Sequence, residues 1–166
     1  MHNRLTKKDI EEIQKEIDYR KTVVRPQVLD EVKETRAQGD LSENFEYHEA
    51  KRVKNRNDSR IRFLERMIRT AEIIEDENAE DEAGIGKKIT VRFQDDASVD
   101  TYTIVSTMRE DSLKNLISVE SPLGRAAAGH RAGDHVQVQA GGGSFEIEIL
   151  SVEPAGEDEQ GTLRNF

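Results

Sequence analysis

Two long segments of this chain carry apolar residues at alternating steps of three and four. In the first, from Asp9 to about Gln38, these positions are Ile10, Ile13, Ile17, Val24, Val28, Val32 and Thr35. In the second, from about Glu43 to Ile74, they are Tyr47, Ala50, Lys54, Asn57, Ile61, Leu64, Ile68 and Ala71. This spacing predicts one apolar stripe along each of two helices. Because only Gly39–Ser42 connects them, the helices must be antiparallel neighbours. Residues 1–75 are therefore predicted to form an antiparallel coiled-coil hairpin.

Several residues interrupt the stripes. Arg20 stands where the first stripe calls for an apolar side chain, and after Pro26 the stripe resumes one residue late. An interior proline removes a helical hydrogen bond, which predicts a kink or bulge near Pro26. Lys54 and Asn57 lie on the second stripe itself, where polar residues fix the register of a coiled coil.

The pattern changes beyond the hairpin. Residues 76–84 are almost entirely acidic and are predicted to be a linker. Residues 85–153 show alternation with period two, which predicts strands. Ser121-Pro122 predicts the start of one short helix, and Gly141–Gly143 predicts a hairpin turn. The fold class is therefore α+β, a helical hairpin followed by a small antiparallel-sheet domain. Residues 154–166 form a tail with no assigned role.

Composition agrees with a hairpin and a small domain. Aromatic residues make up only 5% of the chain, Trp is absent and 36% of residues are charged, so a large single core is not expected. No segment approaches the roughly 20 apolar residues of a membrane span, and no signal-peptide pattern is present. Cysteine is absent, which excludes disulfides and cysteine-based metal sites. We expect a soluble, cytoplasmic protein.

The net charge of -9 is unevenly distributed. Residues 1–75 carry 17 basic and 16 acidic side chains, whereas residues 76–166 carry 8 and 18. Lys51–Arg69 contains eight basic side chains against two acids. An acidic protein with one basic stretch is not a general nucleic-acid coat, although that stretch can meet a phosphate backbone locally.

The turn between the helices carries two carboxylates, Asp40 and Glu43, with no basic residue nearby. Hard oxygen ligands of this kind suit Mg²⁺, which usually takes one or two protein carboxylates. The alternative is a capping box, with Asp40 as N-cap of the second helix and Glu43 at its third position. Spacing alone favours capping, because such boxes are common. Ser42 is either a cap or a group that positions water.

The run GDLSENFEYHEAKR at 39–52 closely resembles the tip signature of the Gre transcript-cleavage factors. Arg25-Pro26, SPLGRAAAGHRAGDHVQV at 121–138 and FEIEILSVE at 145–153 extend the resemblance to about residues 5–153. Leu41 and His48 make the tip more similar to the GreA type than to the GreB type. The C-terminal domain of that family resembles the FKBP fold, which is the expectation for residues 85–153.

The resemblance implies a function. In that family the hairpin enters the secondary channel of RNA polymerase and the globular domain docks on the channel rim. The tip acids help hold a second Mg²⁺ at the polymerase active centre and activate the attacking water. Carried over by position, these acids are Asp40 and Glu43. The chain is thus expected to be a cofactor for the polymerase's own cleavage of backtracked RNA. It is not expected to be an enzyme, to bind Mg²⁺ tightly by itself, or to have a membrane partner or small-molecule substrate.

The basic stretch adds candidate contacts. Arg52, Arg56 and Arg60 recur every four residues off the stripe, and Arg62, Arg66 and Arg69 form a second row. The second row is interpreted as solvated surface. Arg52 and Arg56 lie within about 20 Å of the tip at 1.5 Å per residue. They are therefore candidates, together with Ser42, for contact with the 3′ end of backtracked RNA or with the polymerase.

Other functions are less favoured. A prolyl isomerase needs an aromatic pocket, and residues 84–153 offer only Phe93, Tyr102 and Phe145, which look largely like core. Phe45 departs from the family, which has a small residue there, and this leaves room for an inhibitor that blocks the channel without cleavage. The intact Asp40 and Glu43 pair argues against such a plug. A structural adapter would explain the helices but not the tip. His130 and His135 are too isolated to suggest a metal site.

Overall fold

The computed structural model describes residues 4–38 and 44–165, and their contacts divide the chain into two compact units. The helical unit comprises residues 8–38 and 44–71. The sheet unit comprises residues 4–7 and 72–165. The domain boundaries expected from the sequence, at 75/76, 84/85 and 153/154, remain predictions. Among the helices that the structure describes, none combines the length and apolar character that a membrane span requires.

The helical unit is an antiparallel hairpin, as predicted. Its helices are α1 (Lys7–Tyr19), α2 (Arg25–Arg36) and α3 (Phe45–Arg69). Three cross-helix hydrogen bonds give the direction: Glu16 bonds to Arg60, Arg20 to Asn57, and Thr35 to Asn44. As the residue numbers rise along the first arm they fall along the second, so the two arms run in opposite directions.

The predicted irregularity near Pro26 is confirmed and takes the form of a π-helical turn. This turn covers Arg20–Val24, directly between α1 and α2, and the Arg25 N–H donates to the carbonyl of Arg20, five residues back. A π turn inserts one extra residue into a helix. Because Pro26 has no N–H to donate to Thr22, the regular ladder is already interrupted there. The inserted residue explains why the apolar stripe resumes one position late.

The stripes bury the residues that their spacing predicts. Ile13 and Ile17 in α1 and Val28 in α2 are buried, as are Ile61 and Leu64 in α3. Towards the end of the hairpin the residues on the stripe become less buried. Val32, Thr35 and Tyr47 are only half-buried there. On α3 the buried residue nearest to the tip is Ala50. Apolar packing is thus concentrated away from the tip.

The sheet unit contains one five-stranded sheet and one short pair. The strands are β1 (Arg4–Leu5), β2 (Glu72–Ile73), β3 (Lys87–Phe93), β4 (Val99–Val105), β5 (Leu116–Ser118), β6 (His135–Ala140) and β7 (Gly143–Pro154). The large sheet has the order β5-β4-β3-β7-β6, and β1 pairs in parallel with β2. All neighbours in the large sheet are antiparallel except β4 and β5. The antiparallel-rich α+β domain predicted from the period-two alternation is confirmed.

The short helix and the hairpin turn predicted in this unit are both present. Helix α4 (Pro122–Ala127) begins with Pro122, and Ser121 caps it by accepting a hydrogen bond from the Gly124 N–H at 3.0 Å. Gly141 and Gly142 both have positive φ, 54° and 84°, and join β6 to β7. A two-residue hairpin turn of this kind needs two residues that tolerate left-handed backbone. The core between the sheet and α4 is formed by Ala83, Ile89, Val91, Ile104, Ala127, Val136, Val138, Ile147 and Ile149.

The acidic segment 76–84 is fastened to the sheet unit. The Lys87 ammonium is 7% exposed and donates to the carbonyls of Ala79 and Glu82, both at 2.9 Å. It also pairs with Asp76 at 3.1 Å. Burying an ammonium requires such partners. The segment expected to be a linker is therefore held in place by several bonds from one lysine.

Candidate functional site at the hairpin end

The predicted site residues Asp40, Ser42 and Glu43 lie outside the described residues. The structure describes the two helix ends on either side of them. Helix α2 ends at Arg36, followed by Ala37 and Gln38, and the chain is described again from Asn44. In the described part of the chain, no group of three or more His, Asp or Glu side chains is arranged to hold a metal ion.

The side chain of Asn44 bonds to both helix ends. Its Oδ1 accepts a hydrogen bond from the Tyr47 N–H at 3.0 Å, which caps the first turn of α3. Its Nδ2 donates to the Thr35 carbonyl of α2 at 2.7 Å. Only one amide orientation satisfies both contacts, because a backbone N–H needs an acceptor and a carbonyl needs a donor. Asn44 therefore bridges the end of α2 and the start of α3.

The capping alternative placed Asp40 at the N-cap of the second helix, with Glu43 at its third position. Helix α3 begins at Phe45 rather than near Glu43, and its N-cap is Asn44, which has the extended backbone (φ -82°, ψ 93°) of a residue outside the helix. Asn is as good an N-cap as Asp, and Asn44 has a second partner across the hairpin at Thr35. The N-cap of α3 is therefore Asn44 and not Asp40.

Phe45 is 75% exposed at the first position of α3. It borders a shallow groove of about 310 Å³ whose floor includes Thr35, Ala50 and Val53. Four acidic residues, Glu31, Glu34, Glu46 and Glu49, border the same groove. The end of the hairpin therefore combines an exposed aromatic ring with negative charge. That Phe45 leaves room for an inhibitor that blocks the channel stays a prediction.

The arginines of α3 differ in environment. Arg52 and Arg56 are both exposed. Arg52 pairs with Glu49 of its own helix at 2.8 Å, whereas Arg56 makes no ion pair within residues 4–38 and 44–165. Arg62, Arg66 and Arg69 are exposed, as expected for solvated surface. Arg60 differs from these arginines, because it lies beside the stripe and is only 7% exposed.

Arg60 belongs to a buried polar layer that sequence reasoning missed. Its Nε and Nη2 donate to the Glu16 carboxylate at 2.8 and 3.2 Å. Arg20 also donates to Glu16 at 2.8 Å and, through Nη1, to Asn57 Oδ1 at 3.0 Å. Burial opposes the charged form of Glu16, but hydrogen bonds from Arg60 and Arg20 outweigh it and lower the pKa of Glu16. The sequence feature that could have indicated this layer is the presence of one polar residue on each stripe, Arg20 on the first and Asn57 on the second.

The aromatic residues of the sheet unit are largely committed to its core. Phe93 and Phe145 lie with ring centroids 5.9 Å apart and pack, together with Tyr102, against the buried cluster. This is the structural role predicted for Phe93 and Phe145. His130 contacts Asp134 at 3.2 Å and His135 is exposed.

The sequence matches two family models that together cover most of the chain. "Transcription elongation factor, N-terminal" matches residues 3–73, and "Transcription elongation factor, GreA/GreB, C-term" matches residues 78–154. The first match covers the helical hairpin and the second covers the sheet domain, so both parts of this chain are those of a transcription elongation factor.

Curated relatives agree. The chain is 41% identical over 149 residues to "Transcription elongation factor GreA" of Geobacillus kaustophilus, covering 89% of this chain and 94% of that protein. It is 39% identical over 150 residues to the protein of the same name from Streptococcus gordonii, covering 90% and 94%. A solved structure, GreA factor homolog 1 of Thermus thermophilus, is 23% identical with a TM-score of 0.41, covering 90% of this chain and 97% of that one. The chain belongs to the GreA/GreB family of transcription elongation factors.

Proposed function

We propose that this elongation factor inserts its hairpin into the secondary channel of RNA polymerase and stimulates the polymerase's intrinsic cleavage of backtracked RNA. The observation that carries the proposal is the acidic segment at the end of the hairpin. Asp40 and Glu43 lie in the five residues that separate Gln38 from Asn44, and Asn44 bonds to both helices. Family membership supports the same function.

The dimensions of the hairpin suit a probe that reaches into a narrow passage. Helix α3 alone has 25 residues, which is about 37 Å at 1.5 Å per residue. Apolar packing and the polar layer stiffen the arms, while the exposed surface carries charge. In this proposal the globular sheet unit remains at the rim of the channel and the hairpin carries the acids inward.

The donor chemistry of the tip fits Mg²⁺. Two carboxylates in a stretch of sequence without Lys or Arg, residues 37–50, offer the hard oxygens that Mg²⁺ prefers. Mg²⁺ usually completes its shell with water and substrate oxygens. Asp40 and Glu43 would hold the ion only together with ligands from the polymerase. When bound, a second metal ion supplies stabilisation of the attacking and leaving oxygens during phosphodiester cleavage. The chain itself is then a cofactor of the polymerase and not the nuclease.

Arg52 and Arg56 would guide the RNA. Both are exposed on the half of α3 that follows the tip, and Arg56 carries an unpaired charge among the described residues. Arginine donates to phosphate oxygens in a fixed planar geometry. These side chains are therefore suited to the phosphates at the 3′ end of backtracked RNA, or to the wall of the channel.

A second candidate function is inhibition of polymerase by the same insertion without cleavage. The exposed Phe45 favours it, since an aromatic ring at the end of the hairpin adds apolar contact that cleavage does not require. The acids favour cleavage, because a plug has no need of two metal-binding carboxylates at its tip.

A backtracked elongation complex with RNA labelled at its 3′ end distinguishes the two functions. Adding the protein should release short labelled RNAs and allow the shortened transcript to be extended again. Inhibition without cleavage would instead leave the RNA intact and slow its extension. Intact RNA at factor concentrations that saturate the polymerase would contradict the proposal.

A further inference from the structure

At the end of the hairpin, the side chain of Asn44 connects the two helices. Its two hydrogen bonds, to the Tyr47 N–H and the Thr35 carbonyl, are 3.0 and 2.7 Å long. One ordinary N-cap needs only the first of these. The second bond adds nothing to the cap of α3, because it reaches the other helix. Its effect is to fix the separation of the two ends between which the acidic segment runs.

Among the described residues, apolar packing between the two arms is weaker near Asn44 than further along the hairpin. Thr35 is half-buried and Phe45 is exposed, so apolar packing between the arms has faded here. The last turn of α2 closes on itself, with the Ala37 N–H donating to Lys33 and the Gln38 N–H to Thr35. The Thr35 carbonyl thus accepts from both Gln38 and Asn44, which uses both of its lone pairs.

We propose that Asn44 is a positioning residue for cleavage: by tying Thr35 to the first turn of α3, it fixes the separation of the two described helix ends that flank Asp40 and Glu43 in the sequence. This inference rests on the proposed function. Catalytic groups must be held close to their productive geometry, and a displacement of about 1 Å can cost on the order of 100-fold in rate. A short side-chain bridge at the base of the segment provides that restraint without entering the chemistry.

Asn44→Ser separates the bridge from the cap. Serine is an equally good N-cap, but its single oxygen takes the place of Oδ1 and leaves the position of Nδ2 empty. The change also adds no charge near the acids, unlike Asn44→Asp. Asn55→Ser is a matched control, because Asn55 is exposed in the middle of the same helix.

In the cleavage assay, Asn44→Ser should lower the maximal rate by on the order of tenfold. The factor concentration needed for half-maximal effect and the melting temperature should stay parental, and Asn55→Ser should match the parent throughout. A variant that cleaves within about twofold of the parent would overturn the inference. So would a loss of rate that merely follows a loss of helix content. Absence of cleavage by the parent would instead count against the proposed function.

A distance measurement tests the bridge without cleavage. The chain contains no cysteine, so Arg36→Cys and His48→Cys allow two nitroxide labels on exposed positions on either side of the tip. Electron paramagnetic resonance should give a narrow distribution of label distances in the parent background and a broader one with Asn44→Ser. Equal widths in both backgrounds would show that Asn44 does not restrain the ends of the segment.

Discussion

Exposure and pairing separate the arginines of α3 into two kinds. Arg60 is buried and bound by Glu16, so its charge is used within the hairpin. Arg52 and Arg56 are exposed, and the ion pair that Arg52 makes in the described part of the chain is to Glu49, three residues away. Exposed pairs of this kind contribute little to stability. The charges of Arg52 and Arg56 are therefore available to a partner.

Changing Arg52 and Arg56 together to Ala should weaken stimulation of cleavage and reduce its dependence on salt. Each phosphate contact that is lost removes part of the counterion release that makes nucleic-acid binding salt-dependent. The melting temperature should hardly change, since exposed substitutions usually lie within about ±0.5 kcal/mol. Cleavage measured across a salt series gives the result.

The matched control is the pair Arg62→Ala and Arg66→Ala, which removes two exposed charges further from the tip. It should leave both the rate and the salt dependence nearly parental. Equal behaviour of the two double variants would assign Arg52 and Arg56 to the solvated surface of the coil.

The residue at the start of α3 illustrates what a sequence can specify. Asp40, Ser42 and Asn44 are all good N-cap types within five positions, so spacing alone does not choose among them. Asn44 is the one whose amide also reaches the Thr35 carbonyl of the other helix. This contact joins residues on two different helices. Rules that describe the start of a single helix contain no contact of this kind.

Among the elements of the fold, the apolar stripes of the hairpin were predictable from the sequence, and the polar layer of Glu16, Arg20, Asn57 and Arg60 was not. Periodicity identified Ile13, Ile17, Ile61 and Leu64, because apolar burial follows the spacing directly. Arg60 lies next to the stripe, and its burial depends on a carboxylate presented by the opposite helix. The irregularity was foreseeable as a kink or bulge from Pro26, whereas its form, a π turn at Arg20–Val24, was not.

The polar layer makes the hairpin sensitive to acid. Because the pKa of Glu16 is lowered below its ordinary value of 4.5 by Arg60 and Arg20, the unfolded chain takes up this proton more readily than the folded one. The stabilisation is complete above the ordinary pKa and is lost as the pH falls through the folded value.

Glu16→Gln should therefore destabilise the hairpin at neutral pH, by about 1–3 kcal/mol, since a buried guanidinium loses its charged partner. It should also flatten the acid side of the stability profile. Thermal unfolding followed by the helical circular-dichroism signal, from neutral pH downwards, measures both. Glu11→Gln, an exposed acid of the same helix, is the control. An unchanged acid limb in Glu16→Gln would mean that other carboxylates set the pH dependence.

At the scale of the whole molecule, the sheet unit extends beyond the region that the family model matches. The C-terminal match ends at residue 154, yet residues 155–165 are bound to the sheet unit. Glu159 pairs with Lys88, the Arg109 guanidinium donates to the Gly161 carbonyl, and the Arg164 N–H donates to Met108. This tail has no apolar periodicity, so its packing left no pattern to read in the sequence.

The fold class could be predicted from two sequence periods, the steps of three and four in the hairpin and the period of two in the sheet domain. The order of the strands in the sheet could not be predicted from them. Alternation at Ile89 and Val91, and again at Ile147 and Ile149, marks strands that later prove buried. Strand β5 has only three residues and lies at the edge of the sheet, parallel to β4. An element that short carries too few side chains to show a period, and its pairing is decided by tertiary contacts.

The most direct test of the central claim is Asp40→Asn in the cleavage assay. Asn44 caps α3, so this change should leave the start of the helix, the melting temperature and polymerase binding nearly parental. It replaces a carboxylate by a neutral amide, which is a poorer ligand for Mg²⁺. The account predicts that stimulated cleavage is largely lost and that added Mg²⁺ restores part of it. Cleavage by Asp40→Asn at the parental rate, with polymerase saturated, would contradict the account.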